Sequence, residues 1–435
     1  MNMQLFYLGI SLLFLVLIML KFRINAFMAL LMSAFLIGVF NQMGLIPTLE
    51  SITTGLGNTI GSLALIITFG AMLGKVMEVT GAAFKITDVI VQKLGKQNIT
   101  YAVLLAGFII GLPMMYNASF LVLIPIIYAF SHLTKIPLLQ LGIPLSASLS
   151  VAHGYLPPHP APVVVSQMYG ADMNTVFIYG IIVAIPAIIV AGVILPKFFT
   201  KLDNKPPENL FQATDFDQNN SPSFIISLLC AIIPFILMAS AAIFQTEEDS
   251  VLQFLGDPNI ALFIAVLIAI YFLGVRRGIS SKSLMSDLEK SIMSIAMILL
   301  IIGAGGSFKQ VLSDSGSANY IKELAAGWSL NPIILGWLLA AVIRLILGSA
   351  TVATITAAGI MAPIVQQGIV PMEIMVLATG SGSLMFSHFN DIGFWMFKEY
   401  YNVSIKQTFM IWTTMECLIG IIGLIGCLIL NLFIG

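Results

Sequence analysis

One broken stretch constrains the fold of this chain more than any other feature of its sequence. Residues 146–162 read Ser-Ala-Ser-Leu-Ser-Val-Ala-His-Gly-Tyr-Leu-Pro-Pro-His-Pro-Ala-Pro and lie between long apolar runs. A helix cannot continue from Leu156 to Pro162, because each proline removes an N–H donor and clashes with the preceding turn. Within a membrane, broken backbone is tolerated only where it is buried in protein or lines a wet cavity. We therefore predict that the chain breaks here to handle something polar.

A second, related break is predicted in the other half of the chain. Residues 381–391 read Ser-Gly-Ser-Leu-Met-Phe-Ser-His-Phe-Asn-Asp and repeat the Ser-x-Ser-Leu-x-x-x-His pattern that ends at His153. Transporters built from internal repeats place their solute site at such paired interruptions. The two breaks therefore indicate a solute site to which both halves contribute.

The composition places the chain in a lipid bilayer. Its 435 residues are 59% hydrophobic and only 9% charged, whereas soluble domains carry about 25% charged residues. We predict an all-α polytopic membrane protein with interrupted helices. The net charge of −1 excludes a nucleic-acid-binding protein, which presents a basic face. The N-terminal apolar run lacks a basic leader and a cleavage site, so we interpret it as a retained span.

Corresponding motifs predict two repeats, residues 1–200 and 222–435, joined by a polar cytoplasmic linker at 201–221. Residues 69–81 parallel residues 303–316, and a period of this length suits a transporter half rather than a solenoid unit.

Basic turns predict that the two repeats are inverted relative to each other. Lys21 and Arg23 follow the first span of the first repeat, whereas Arg276 and Arg277 follow the second span of the second repeat. Because cytoplasmic loops carry an excess of lysine and arginine, both termini are expected to face the periplasm.

Small polar residues mark a further interruption in each repeat. Asn117 and Ser119 follow an apolar run that stops at Pro113, and Ser349 and Thr351 occupy the matching place in the second repeat. Interrupted helices leave N-termini that attract anions, and these side chains hydrogen-bond carboxylates and hydroxyls. Capping of the broken helices is the alternative, but the occurrence of the pair in both halves favours solute binding.

Buried charge is predicted at Arg344 and Asp391. A guanidinium in an apolar run is costly unless paired, so Arg344 is expected either to bind a solute carboxylate or to pair with Asp391 or Asp314. Asp391, beside the candidate solute ligand Asn390, is the best acid for coupling to a proton gradient. Glu416 is a weaker candidate, because it is expected closer to a membrane surface.

Three of the four histidines, His153, His159 and His388, lie in the broken segments. Histidine titrates near neutral pH, so His153 is a candidate both for solute binding and for proton coupling, and His388 for solute binding. A buried structural histidine is the alternative for each.

Several classes of chemistry lack support in the sequence. The Gly70–Lys75 segment is one residue too short for a phosphate-binding loop, and no H-E-x-x-H zinc motif occurs. We expect no metal and no cofactor. A membrane-embedded enzyme is disfavoured, because one active site does not require two opposed repeats.

The string His-Gly-Tyr-Leu-Pro-Pro-His-Pro at 153–160 resembles the gluconate permease family, as do residues 303–316, 347–353 and 386–395. The resemblance spans most of the chain from about residue 100 onward. It implies a bacterial inner-membrane symporter that imports gluconate or a related sugar acid with protons. It also implies a homodimer whose mobile domain, carrying re-entrant hairpins and broken helices, moves past a scaffold as an elevator.

The resemblance leaves the solute and the coupling group open. Because a D-serine transporter belongs to the same family, a carrier for D-serine or another organic acid, including a sodium-driven one, is the alternative. In this family the position of Asn117 is usually acidic and that of Ser119 is usually glycine. The departure implies that the coupled proton resides on another group, such as Asp391, or that the solute differs.

Overall fold

The computed structural model describes residues 3–200, 202, 221–244, 251–317, 330–388 and 391–434, and its regular elements are all helical. The first half contains α1 (Met3–Leu20), α2 (Ala26–Phe40), α3 (Leu45–Val79), α4 (Ala82–Leu94), α5 (Ile99–Gly111), α6 (Tyr116–Thr134), α7 (Leu138–Tyr155), α8 (Pro160–Tyr169) and α9 (Met173–Ile189). The second half contains α10 (Phe224–Phe244), α11 (Val251–Gly256), α12 (Pro258–Ala269), α13 (Ser281–Asp314), α14 (Pro332–Leu347), α15 (Ala350–Val365), α16 (Met372–Gly382), α17 (Ile392–Tyr400), α18 (Ile405–Thr408) and α19 (Thr414–Ile434). Most of the predicted linker at 201–221 lies outside the described residues.

Six of the described helices are long and apolar enough to cross a membrane. They are Leu45–Val79, Met173–Phe199, Phe224–Ala241, Pro258–Arg277, Ser281–Asp314 and Ile405–Ile434. Three of them continue through a π-helical turn, at 190–194, 270–274 and 409–413. Four of the helices that border the breaks and interruptions, α5, α8, α16 and α17, are only 9–13 residues long and are too short to cross a bilayer alone.

Both predicted breaks are present in the structure. Helix α7 ends at Tyr155 and α8 begins at Pro160, with a cis peptide between Pro157 and Pro158. The first break is shorter than the sequence predicts, because Pro160 occupies the first turn of α8, where a missing N–H costs no hydrogen bond. In the second break α16 ends at Gly382, and the chain resumes at α17.

The interruption near Pro113 separates α5 from α6, and its counterpart at Gly348 separates α14 from α15. Helices α14 and α15 pack against each other, α5 packs on α7, and α14 packs on α16. The α5–α6 pair therefore packs against α7, which ends at the first break, and the α14–α15 pair packs against α16, which ends at the second.

The two longest helices, α3 and α13, pack along each other. Ser307 on α13 donates a hydrogen bond to the carbonyl of Ile52 at 2.8 Å, and Ser51 on α3 donates one to the Asp314 carboxylate at 2.7 Å. Asp314, one of the partners considered for Arg344, is therefore engaged at this helix pair.

The broken helices α7 and α16 approach each other closely at Gly154 and Gly380. A Cβ atom added to Gly380 would lie 2.5 Å from the carbonyl oxygen of Gly154, nearer than a real Cβ atom approaches another atom. Small residues permit this backbone contact, as they do between other membrane helices. The contact fixes how the first and second breaks face each other.

We expect Gly380→Ala to destabilise the protein by about 1–3 kcal/mol, the usual cost of overpacking. Because the clashing atom is backbone oxygen, a rotamer change cannot relieve the strain. Thermal unfolding of the purified protein in detergent should show a lower Tm. The matched control is Gly61→Ala on α3, where an added Cβ meets nothing within 4 Å; equal Tm values for the two variants would contradict the prediction.

Candidate functional site

An ion pair between Arg344 and Asp391 lies at the centre of the candidate site. Arg344, in the last turn of α14, is 2% exposed, and its Nη2 donates to Asp391 Oδ2 while its Nη1 donates to the carbonyl of Gly348. Its Nε is buried and donates to no described atom. The structure thus pairs Arg344 with Asp391 and leaves the Nε donor without an acceptor among the described residues.

Asp391 is held by several donors besides Arg344. Ser387 Oγ donates to the same carboxylate oxygen, and Trp412 Nε1 donates to Ser387 Oγ at 2.7 Å. The other oxygen accepts the backbone N–H of Gly393 at 3.0 Å and caps α17. Because Asp391 remains 18% exposed, its carboxylate is ordered but not sealed from the site.

Two histidines of the broken segments satisfy carbonyl groups at helix ends that have no intrahelical partner. His159 Nε2 lies 2.8 Å from the carbonyl oxygen of Gly111, the last residue of α5. His388 Nε2 lies 3.1 Å from the carbonyl oxygen of Leu345, in the last turn of α14. His159 therefore connects the first break to the end of α5, and His388 connects the second break to the end of α14.

The third of these histidines, His153, contacts His159, with 3.4 Å between their Nδ1 atoms. The charges of Arg344 and Asp391 both act on the His153 ring. Of the histidines predicted for the site, His153 is therefore linked electrostatically to the ion pair through space.

The predicted small polar residues divide into two groups. Ser349 caps α15 by accepting the N–H of Val352 at 3.4 Å, and Ser119 is buried with its hydroxyl donating to the carbonyl of Met114 at 3.2 Å. Asn117 is exposed and Thr351 is partly exposed, next to the same helix N-termini. The two serine hydroxyls thus already have backbone partners. The candidate ligand Asn390 lies outside the described residues.

Sequence reasoning missed Tyr116 and ranked Glu416 only as a weaker coupling acid, yet both are buried near the ion pair. The phenol oxygen of Tyr116 is buried close to Ser146, and the Tyr116 ring lies 5.8 Å from that of Trp412. Glu416 is 2% exposed and accepts a hydrogen bond from Ser150 at 2.5 Å. Tyr116 directly follows the Pro113 interruption, a position that could have signalled it. The burial of Glu416 had no such signal in its apolar surroundings.

Ring and hydrogen-bond contacts join Tyr116 to the ion pair. Tyr116 packs on Trp412, which donates to Ser387, and Ser387 in turn donates to Asp391. Tyr116 comes from the first half of the chain and the ion pair from the second, so both halves contribute to the site. Within the described residues no group of three His, Cys, Asp or Glu side chains is arranged to hold a metal ion.

A cavity of about 160 Å³ opens beside the α5–α6 interruption, between α3 and the start of α13. Lys75 and Lys290 lie in its wall, each paired with an acid on its own helix. A second cavity of about 20 Å³ shares part of this wall and reaches Pro158 and His159. The two described cavities thus lie side by side, one lined by basic residues and the other by the first break.

The sequence pattern of a known family, described as GntP family permease, matches residues 3–433. The chain belongs to this permease family. Two relatives from Escherichia coli K12 are similar over nearly the whole permease. A high-affinity gluconate transporter is 43% identical, covering 99% of this chain and 100% of the relative, and the Gnt-II system L-idonate transporter is 42% identical, covering 97% of each. A gluconate permease of Bacillus subtilis is 39% identical over 99% of this chain and 100% of that relative.

Family membership confirms that this permease is not an enzyme and that it is an integral membrane protein. Two solved structures share its fold: the YdaH transporter of Alcanivorax borkumensis, covering 89% of both chains, and MtrF of Neisseria gonorrhoeae, covering 91% of this permease and 86% of that chain. Each has a TM-score of 0.65 at 14% identity. At such identity the likeness concerns the fold alone.

Proposed function

We propose that this permease is a secondary active transporter of the bacterial inner membrane that imports gluconate or a related sugar acid together with protons. The observation that carries the proposal is the buried guanidinium of Arg344, whose Nε lacks an acceptor among the described residues. A guanidinium fork suits a carboxylate. Three relatives that are similar over nearly the full chain are named as gluconate or L-idonate transporters. They support the proposal that the carboxylate belongs to a sugar acid.

Solute recognition divides between charge and hydroxyl groups. Arg344 binds the carboxylate, and the N-termini of α6 and α15 add partial positive charge. Side chains around the breaks bind the hydroxyls; the proposed set is Asn117, Ser119, His153, Ser349, Thr351, His388 and Asn390.

Proton coupling follows from competition for Arg344. While Asp391 is ionised, it occupies the guanidinium. A proton on Asp391 cancels its charge and weakens the pair, so Arg344 becomes available to the solute carboxylate. Anion and proton are then bound together, as symport requires. In this proposal His153, on which the charges of both partners act, passes that proton.

The movement proposed is an elevator-like displacement within a homodimer. Residues 1–200 and 222–435 form inverted repeats around the cytoplasmic linker 201–221, with both termini in the periplasm. Two observations support the repeats: α3 and α13 span 35 and 34 residues, and each is followed by a left-handed glycine, Gly81 and Gly316.

Uptake of labelled gluconate into proteoliposomes tests the proposal. An inward proton gradient is expected to drive accumulation above the equilibrium level, and collapsing the gradient with a protonophore should abolish it. Accumulation that follows a sodium gradient instead would overturn proton coupling. Uptake of another labelled organic acid, such as D-serine, is measured with and without excess unlabelled gluconate or L-idonate. Uptake that the sugar acids do not reduce would overturn the sugar-acid assignment.

A further inference from the structure

His159 lies in the first break between Pro158 and Pro160 and is 4% exposed. Its Nε2 atom is 2.8 Å from the carbonyl oxygen of Gly111. A carbonyl oxygen only accepts hydrogen bonds, so the ring proton of His159 is on Nε2. The tautomer of His159 is thereby set by the end of α5.

The charge state of His159 follows from its surroundings. No described Asp or Glu oxygen lies within 4.0 Å of His159 or of His153. A buried imidazolium without a counter-ion is costly, so His159 is neutral and its Nδ1 carries a lone pair. That lone pair accepts a hydrogen bond from His153, whose Nδ1 is 3.4 Å away.

His153 consequently keeps one ring nitrogen that is not hydrogen-bonded to any residue the structure describes. Its proton is on Nδ1, so Nε2 carries a lone pair and acts as an acceptor. The ring is partly exposed, and the charges of Arg344 and Asp391 act on it. A partly exposed acceptor is thus fixed in the first break by the contact of His153 with His159.

We infer that His159 is a positioning residue that holds His153 in the Nδ1–H tautomer, so that His153 Nε2 accepts a hydrogen bond from a solute hydroxyl. The inference rests on the proposed function and assigns the recognition of one solute hydroxyl to this pair of histidines, with the carboxylate on Arg344. A site built to bind a hydroxyl rejects an analogue that lacks it, because its own polar group is then left unpaired. Discrimination therefore depends on a residue that does not itself touch the solute.

Nitrogen NMR of histidine-labelled protein tests the tautomers without any transport assay. The sequence contains only four histidines, so single His→Asn variants assign every ring. The expected wild-type result is Nδ1–H at His153 and Nε2–H at His159, with His153 released from the Nδ1–H tautomer in His159→Phe. Nε2–H at His153 in the wild type, or an unchanged His153 tautomer in His159→Phe, would overturn the inference even if sugar-acid transport is established.

Transport measurements separate a positioning role from a merely structural one. In His159→Phe we expect the KM for gluconate to rise about tenfold, the value of one hydrogen bond, while the KM for a carboxylate without hydroxyls stays unchanged. His159→Asn should restore most of the affinity, because its amide can donate to Gly111 and accept from His153. His132→Asn, away from the breaks, is the control.

An equal rise in the KM of both solutes in His159→Phe would overturn the inference. Failure of the wild-type protein to take up gluconate would instead count against the proposed function. If His159→Phe does not fold, the wild-type NMR spectrum alone decides.

Discussion

Arg344→Gln is expected to abolish detectable uptake of the sugar acid. Truncating one partner of a buried, hydrogen-bonded charge pair costs about 2–5 kcal/mol, so solute affinity should fall by at least about 30-fold. The substitution also leaves Asp391 without its cation, and the protein should lose about 3 kcal/mol of stability. Equilibrium binding of labelled gluconate and thermal unfolding measure the two effects separately.

The double variant Arg344→Gln with Asp391→Asn separates binding from stability. Removing both charges should restore most of the Tm, because no buried charge is then unpaired, whereas binding should remain lost. Arg344→Lys retains the positive charge but not the planar fork, and we expect intermediate affinity. Wild-type binding by Arg344→Gln would exclude the guanidinium as the carboxylate receptor.

Asp391→Asn is expected to abolish gradient-driven accumulation while solute binding and exchange persist. Asparagine imitates the protonated carboxyl group, so Arg344 is available to the solute whether or not a proton is bound. It also still caps α17, whose first turn Asp391 caps through the N–H of Gly393. Counterflow exchange and gradient-driven uptake, measured in the same proteoliposomes, distinguish the uncoupled carrier from an inactive one.

Asp172→Asn is a matched control, because Asp172 also caps a helix, accepting the N–H of Thr175 at 2.8 Å, but is exposed. It should accumulate solute as the wild type does. Wild-type accumulation by Asp391→Asn would remove Asp391 from the coupling mechanism. Glu416, buried in the same site, would then be the acid to test.

Much of the architecture was predictable from residue patterns, because helix breaks and membrane helices depend on residues that are close together in the sequence. Proline between Leu156 and Pro162 interrupts any helix, so the first break was placed correctly to within a few residues. Long apolar runs with little charge identify membrane helices from length and composition alone. The family resemblance rested on strings of the same kind and is confirmed.

The candidate site was only partly predictable, because its contacts join residues distant in sequence. The pattern showed that Arg344 needs a partner, yet only the packing of α14 against the second break selects Asp391 over Asp314. The pattern likewise placed Glu416 near a surface, whereas the tertiary structure buries it against Ser150. In the same way, the sequence showed three histidines at the breaks, but the fold decides which ring nitrogen faces a carbonyl. Local sterics and hydrophobicity act along the chain and can be read from it, while charge pairing and hydrogen-bond direction depend on distances that exist only after the helices have packed.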